Sequence, residues 1–300
     1  MSETSYVQVE PDVAICVERW RAGAPGAPVV LALHGFSSNR LAFAGLAKAF
    51  DGAVDLVAVD CRGRGRSGAP DDASRYGMRR HADDAAAVLR HLGLTDVTVV
   101  GTSMGAWIAT QVAAHHGDLV RSLVLVDGGY LSLLPEGTDR VAFIDLVLLG
   151  ALERMDLVLP MDLDALVAVT SAAPQLGPLW DADVEASVRE GFEEVEGGVR
   201  SRMRRLAGVA DAESYNEPFE APYLRADVAA ITCPVHLITA PEGFPVDATT
   251  ATAPVMPAEA VAELRAALPQ LTVEEAPGTN HFSACLGSND LVTRAVLERR

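Results

Sequence analysis

Positive charge is in short supply. The chain has 24 Lys and Arg against 41 Asp and Glu, a formal net charge of −17. A surface that acidic repels phosphate backbones and anionic headgroups, so neither nucleic acid nor membrane is an expected partner. Cysteine is sparse too. The four, Cys16, Cys61, Cys233 and Cys285, lie far apart, with no CxxC and no Cys/His ligand spacing. That pattern indicates neither a zinc site nor a disulfide framework and fits free, mostly buried thiols in a reducing compartment. The opening MSETSYVQVE has no basic stretch and no apolar run, so no signal peptide is read there. No apolar run is long and unbroken enough to span a bilayer. The expectation is a soluble, cytoplasmic protein, its oligomeric state left open. Repeats and low-complexity segments are also missing.

What is present is enough apolar sequence, 49% of the chain, to fill a sizeable core. Tyr6–Val9 and Val13–Trp20 alternate like a half-exposed hairpin. Pro28–Leu33 is continuously apolar, buried strands are read at Val54–Asp60, Val97–Thr102 and Arg121–Val126, and the sheet resumes at Cys233–Ala240, with Leu271–Glu275 as a last strand. Helical spacing separates them, at Arg40–Phe50, Met78–Leu92, Met104–His116, Ala258–Leu268 and Asp290–Arg299. Strands alternating with helices in this way form a mostly parallel sheet covered on both faces. From Tyr130 to about Ala230 the rhythm changes. No buried strand is read there, only helical segments at Asp139–Met155, Leu163–Ser171, Asp183–Val195 and Val199–Val209, an insertion broken by Pro and Gly.

Val97 to Trp107, VTVVGTSMGAW, is the stretch around which the rest is arranged. A β-branched run ends in Gly101-Thr102-Ser103-Met104-Gly105 and passes straight into a helix. This is the strand–turn–helix setting of a G-x-S-x-G nucleophile elbow. The turn predicts a strained Ser103 with its hydroxyl raised above the sheet edge. The helix start aims N–H groups and positive dipole at the place where an oxyanion would form.

A serine hydroxyl needs an adjacent base. Of the seven histidines, His81 and His91 fall on a helix face expected to be solvated, His115 and His116 close a helix, and His236 is inside a strand. His34 precedes a Gly-Phe turn and is read as supporting that loop. His281 sits in a Gly/Asn loop after the last strand and is read as the base. Its orienting carboxylate has two candidate sources. Asp127 ends the strand after the elbow helix and is preferred; its ordinary reading is a turn residue. The loop after Ala240 offers Glu242 and Asp247, ordinarily a polar turn. The oxyanion donors expected are the backbone N–H groups of Met104 and Phe36.

These motifs resemble the α/β-hydrolase superfamily: GTSMG around Ser103, HGF at His34–Phe36, DCRGRGRSG at Asp60–Gly68 and GTNHF at Gly278–Phe282. The resemblance covers nearly the whole chain. It implies a sheet of about eight strands flanked by helices, with a core of residues 1–130 and 231–300 and a helical cap at 131–230. It also implies a Ser–acid–His triad in that chain order, which Asp127 and Glu242 both satisfy. Many members carry the acid as G-x-x-D after the strand matching Pro234–Ala240. Here that register reads Ala240-Pro241-Glu242-Gly243, whereas other members place the acid where Asp127 stands. Serine at the elbow argues against dehalogenase and epoxide hydrolase chemistry, which use a carboxylate nucleophile. Hydrolysis of a small, moderately apolar ester or lactone, needing no cofactor or metal, is the expected reaction. Thioester, amide and C–C bond hydrolysis are the alternatives, as is a non-hydrolytic ligand receptor or biosynthetic partner on the same fold. Within the cap, Leu131, Leu133, Leu134, Phe143 and Trp180 are candidate pocket residues, with cap core as their ordinary role. Trp107 is read as core, the acids of Phe192–Gly197 as a solvated helix face, and Asp60–Gly68 as a Gly-rich loop.

Overall fold

The apolar runs become the middle of one sheet. The computed structural model describes residues 2–129, 139, 141–142, 145, 152–174, 176–214, 227–244 and 252–298. In chain order, the first half holds β1 (Ser2–Glu10), β2 (Val13–Trp20), β3 (Val29–Leu33), α1 (Ala44–Ala49), β4 (Asp55–Val59), α2 (Met78–His91), β5 (Val97–Thr102), α3 (Met104–His115) and β6 (Val120–Val126). The segment that follows contributes β7 (Val158–Leu159), α4 (Leu163–Ser171), α5 (Ala182–Glu190), β8 (Phe192–Val195), β9 (Gly198–Ser201) and α6 (Arg205–Ser214). The chain then returns to the sheet with β10 (Val235–Thr239), α7 (Ala258–Ala267), β11 (Leu271–Glu275), α8 (His281–Gly287) and α9 (Asn289–Leu297).

Eight strands pair in the order β1-β2-β4-β3-β5-β6-β10-β11. The β1–β2 and β2–β4 pairs are antiparallel, and the remaining pairs parallel. Side chains alternate between faces, as strand geometry requires. Leu31, Leu33, Val97, Val99, Leu123 and Leu237 join α2, α3 and α7 in one core layer. Val30, Ala32, Val100, Val124 and Ile238 join α1, α8 and α9 in the other. Helix α3 is buried all along Met104–Ala113, so it has no solvent face to signal amphipathy. Trp107 is core. Among the described residues no helix is long and apolar enough to cross a membrane.

Three expectations need correction. Strand β2 is largely buried rather than half exposed, because Val13, Ile15 and Val17 join the core on one face and the buried Arg40 pairs with Glu18 on the other. The segment after β6 is not purely helical: β7, β9 and β8 form a small antiparallel sheet. Phe192–Val195, read as the end of a helix, folds back on Gly198–Ser201 around a turn whose Gly197 and Gly198 both have positive φ. The helix has already ended at Glu190, and the two glycines permit the tight reversal of a hairpin. Lastly, His281 begins a helix instead of lying in a loop. Asn280 caps that helix reciprocally with Ser283, a local signal of helix start. Most of the expected Asp139–Met155 helix lies outside the described residues.

Candidate active site

Five strand ends converge. The loops after β3, β5, β6, β10 and β11 leave the same carboxyl edge of the sheet, where groups on an open α/β sheet meet a ligand. Ser103 stands at the tip of β5 with φ 52 and ψ −121, a conformation that costs a non-glycine residue free energy. Close backbone packing enforces it. A Cβ on Gly101 would fall 2.2 Å from the Gly105 carbonyl oxygen, and one on Gly105 would fall 1.9 Å from that of Leu33. The glycines let β5, α3 and β3 meet, and the serine between them is pushed outward. The Ser103 N–H donates to Val126 O at 2.9 Å, tying the elbow to β6.

His281 Nε2 lies 2.9 Å from Ser103 Oγ. Its other ring nitrogen, Nδ1, lies 2.7 Å from Asp127 Oδ2. Asp127 is fully buried and held at three points. Its N–H donates to Ile238 O at 2.8 Å, its Oδ1 accepts the Ala240 N–H at 3.1 Å, and Oδ2 faces the imidazole. With Nδ1 donating to Asp127, Nε2 is left as an acceptor aimed at the serine hydroxyl. Glu242 is exposed; from its loop it is the Gly243 carbonyl that reaches His281, accepting the backbone N–H at 3.0 Å. Asp247 lies outside the described residues. The structure therefore brings Ser103, His281 and Asp127 together and leaves Glu242 out.

The His34–Phe36 loop abuts the nucleophile: a Cβ on Gly35 would lie 3.4 Å from Ser103 Cβ. His34 Nε2 accepts the Cys61 N–H at 3.0 Å, so Nδ1 carries the proton and donates to Gly35 O at 2.7 Å. Burial pushes the His34 pKa down to about 3. It stays neutral and braces the loop that presents Phe36.

Comparisons with known proteins bear on the fold. A family model described as the α/β hydrolase fold matches residues 28–160. A 2-(acetamidomethylene)succinate hydrolase of Mesorhizobium japonicum is 27% identical over 256 residues, 85% of this chain and 82% of that protein. The crystal structure of E-2-(acetamidomethylene)succinate hydrolase superposes with TM-score 0.76 at 22% identity, covering 99% of this chain and 98% of that one. A thioesterase domain from the curacin biosynthetic pathway gives TM-score 0.74 at 19% identity, covering 99% of both chains. The chain has the α/β-hydrolase fold.

Around His281 the structure adds residues that the sequence did not flag. The Phe244 ring packs against the His281 imidazole with centroids 4.2 Å apart and meets Phe282 edge-on at 5.8 Å. Cys285, one helical turn after His281, places Sγ 4.0 Å from Nε2. An i, i+4 neighbour follows from the helix, whose first two residues, His281 and Phe282, are expected from the sequence to lie in a loop. Burial works against a charged imidazolium here. Cys285 and the Asp127 carboxylate outweigh it, and the His281 pKa is raised above its ordinary value.

Other expectations for the hydrolase fare unevenly. His81 is buried against Asp211, not solvated. In the Asp60–Gly68 loop Arg62 and Arg64 are buried as well. Arg62 pairs with Asp84 and Glu10, so an Arg-rich loop became an internal ion network. Glu190 is buried between Arg40 and Arg66. Glu193 sits in the hairpin facing Arg200, so the acids of this stretch do not form a helix face. Trp180 is half-buried. Leu131, Leu133, Leu134 and Phe143 lie outside the described residues. A groove of about 870 Å³, lined by Tyr6, Arg66, Glu193, Arg202, Arg204 and others, contains none of the triad.

Proposed function

We propose that this hydrolase cleaves a small, moderately apolar carboxylic ester or lactone through an acyl-enzyme on Ser103. The observation that carries the reading is the unbroken chain of short contacts from Asp127 through His281 to Ser103 Oγ. Ser103 Oγ attacks the carbonyl carbon as its proton passes to His281 Nε2. The carbonyl electrons move onto oxygen, and the N–H groups of Met104 and Phe36 receive that oxyanion. Losing one such donor typically costs ~10²–10³ in rate. Collapse of the intermediate expels the alcohol, which takes the proton from His281. Water, deprotonated by the same imidazole, then releases the acid and restores Ser103. Asp127 holds the productive tautomer and offsets the charge of the imidazolium. The scheme uses side chains, backbone and water only, with a small molecule as partner.

Residues 131–230 are assigned as the cap over this site, and 1–130 with 231–300 as the core. Ion pairs that cross between the two, Lys48–Asp183 and Arg40–Glu190, support docking of the one on the other. A cytoplasmic setting agrees with the free thiols.

The proposal is checked with a panel of small esters, lactones, thioesters and acetamido amides. The last two are included because similar proteins are named for such substrates. Esters or lactones should give the highest kcat/KM. A panel in which only the amide or only the thioester turns over would replace the bond type and leave the triad in place. Saturable binding with no turnover of any class would favour a ligand receptor.

The activity should rise with pH along a limb set by His281, because only the neutral imidazole accepts the serine proton. Its raised pKa places the midpoint of kcat/KM above the ~6.5 of an unperturbed histidine. A limb centred below that value would show that Asp127 does not stabilise the imidazolium.

A further inference from the structure

Arg64 stands at the junction of both proposed oxyanion donors. Its Nε–H donates to Phe36 O at 2.8 Å, and Nη2 lies 3.8 Å from Met104 Sδ. The guanidinium carbon is 5.1 Å from the Phe36 ring centre. Nη1 donates to Asp211 Oδ2 and, at 3.3 Å, to Arg62 O. Both Arg64 and Asp211 are buried, at 1% and 0% exposure. Asp211 belongs to α6, in the segment between β6 and β10. Its carboxylate also accepts the Gly77 N–H at 2.8 Å and faces His81 Nε2 at 2.9 Å. Burial disfavours its charge, but His81 and Arg64 hold its pKa down at about 2.

The Phe36 N–H lies in the Gly35–Phe36 peptide plane, and the Phe36 carbonyl lies in the next plane, joined to the first through the torsions at the Phe36 Cα, so fixing both planes fixes the loop backbone that carries the N–H. The first is pinned through Gly35 O, which accepts from His34 Nδ1 and, at 3.2 Å, from the Ser38 N–H. The second is pinned through Phe36 O, and Arg64 is the group that does it. A buried guanidinium and carboxylate are costly to desolvate, and apolar side chains often hold a fold together as well. An ion pair spent on the carbonyl beside a catalytic N–H therefore points to alignment.

We infer that Arg64, held by Asp211 of the inserted segment, is a positioning residue that aims the Phe36 N–H at the oxyanion, so the oxyanion hole is complete only when α6 is docked on the core. The inference rests on the acyl-enzyme reading above.

The test compares wild type with Arg64→Lys and Asp211→Asn, using the best ester of the panel, a trifluoromethyl ketone and a fluorophosphonate. Lysine keeps a positive charge for Asp211 but lacks the planar fork that reaches Phe36 O. Arg64→Lys should lower kcat by about 10²-fold with KM unchanged. The ketone, which adds Ser103 Oγ and places an oxyanion in the same hole, should lose affinity by the same factor as kcat/KM. Asp211→Asn keeps the side-chain shape and should move both quantities in the same direction by less. It carries the test if Arg64→Lys does not fold by circular dichroism. A folded variant with wild-type kcat and ketone affinity would reduce Arg64 to a structural ion pair and overturn the inference. A raised KM at constant kcat would make it a substrate contact and also overturn it. Fluorophosphonate labelling of the wild type separates the two levels. A labelled, active wild type leaves the acyl-enzyme reading standing whatever the variants do. An unlabelled, inactive one removes that reading and this inference with it.

Discussion

Replacing Ser103 by alanine should cut kcat on the best ester by about 10⁵–10⁶-fold, the scale seen when a triad nucleophile is removed. The substitution deletes one oxygen and leaves the backbone problem as it was, since alanine meets the same cost at φ 52 as serine. Gly101 and Gly105 still permit the close approach of β5, α3 and β3, so the variant should fold. The decisive readout is intact mass after a small fluorophosphonate. Wild type should gain one adduct, because His281 Nε2 at 2.9 Å activates the hydroxyl. Ser103→Ala should gain none. An adduct that persists in the variant would place the reactive group elsewhere, and Cys285, whose Sγ is 4.0 Å from the same imidazole nitrogen, would be the first residue to check.

Asp127→Asn should lower kcat by about 10⁴-fold, the cost of forcing the wrong histidine tautomer in a Ser–His–Asp arrangement. The asparagine is isosteric. Its carbonyl oxygen can keep the Ala240 N–H while its amide faces His281 Nδ1. Nδ1 must then accept, the ring proton moves to Nε2, and Nε2 cannot take the serine proton. The pH limb should shift downward in this variant, because a neutral amide no longer favours the imidazolium. Glu242→Gln is the matched control and should leave kcat unchanged, since Glu242 is exposed and it is the Gly243 carbonyl and the Phe244 ring of that loop that meet His281. A large loss confined to Glu242→Gln would reassign the acid.

Much of this arrangement is legible in short windows. The boundaries of Val97–Thr102 come out as read, because a buried strand is a mostly apolar run between turn signals, and so do those of the edge strand Leu271–Glu275. GTSMG announces a tight elbow because only glycine tolerates the contacts at Gly101 and Gly105. The Asn280–Ser283 capping box was equally visible and would have put His281 on a helix. The β8–β9 hairpin was masked by acidic residues spaced like a helix face. It forms because Glu193 meets Arg200 and the chain turns at Gly197–Gly198.

Local pattern, then, was sufficient for the class of fold and for placing Ser103 and His281 at strand ends of one sheet edge, since strand, turn and helix propensities act within a dozen residues. The choice of Asp127 over Glu242 was of another kind. Both satisfy the same chain order, and the outcome depended on β6 and β10 pairing side by side and directing one carboxylate inward across 154 residues of sequence separation. Burial of Arg64 against Asp211, 147 residues apart, was likewise beyond any local signal. An arginine in a Gly-rich loop reads as solvated until the fold supplies the carboxylate that makes its desolvation tolerable.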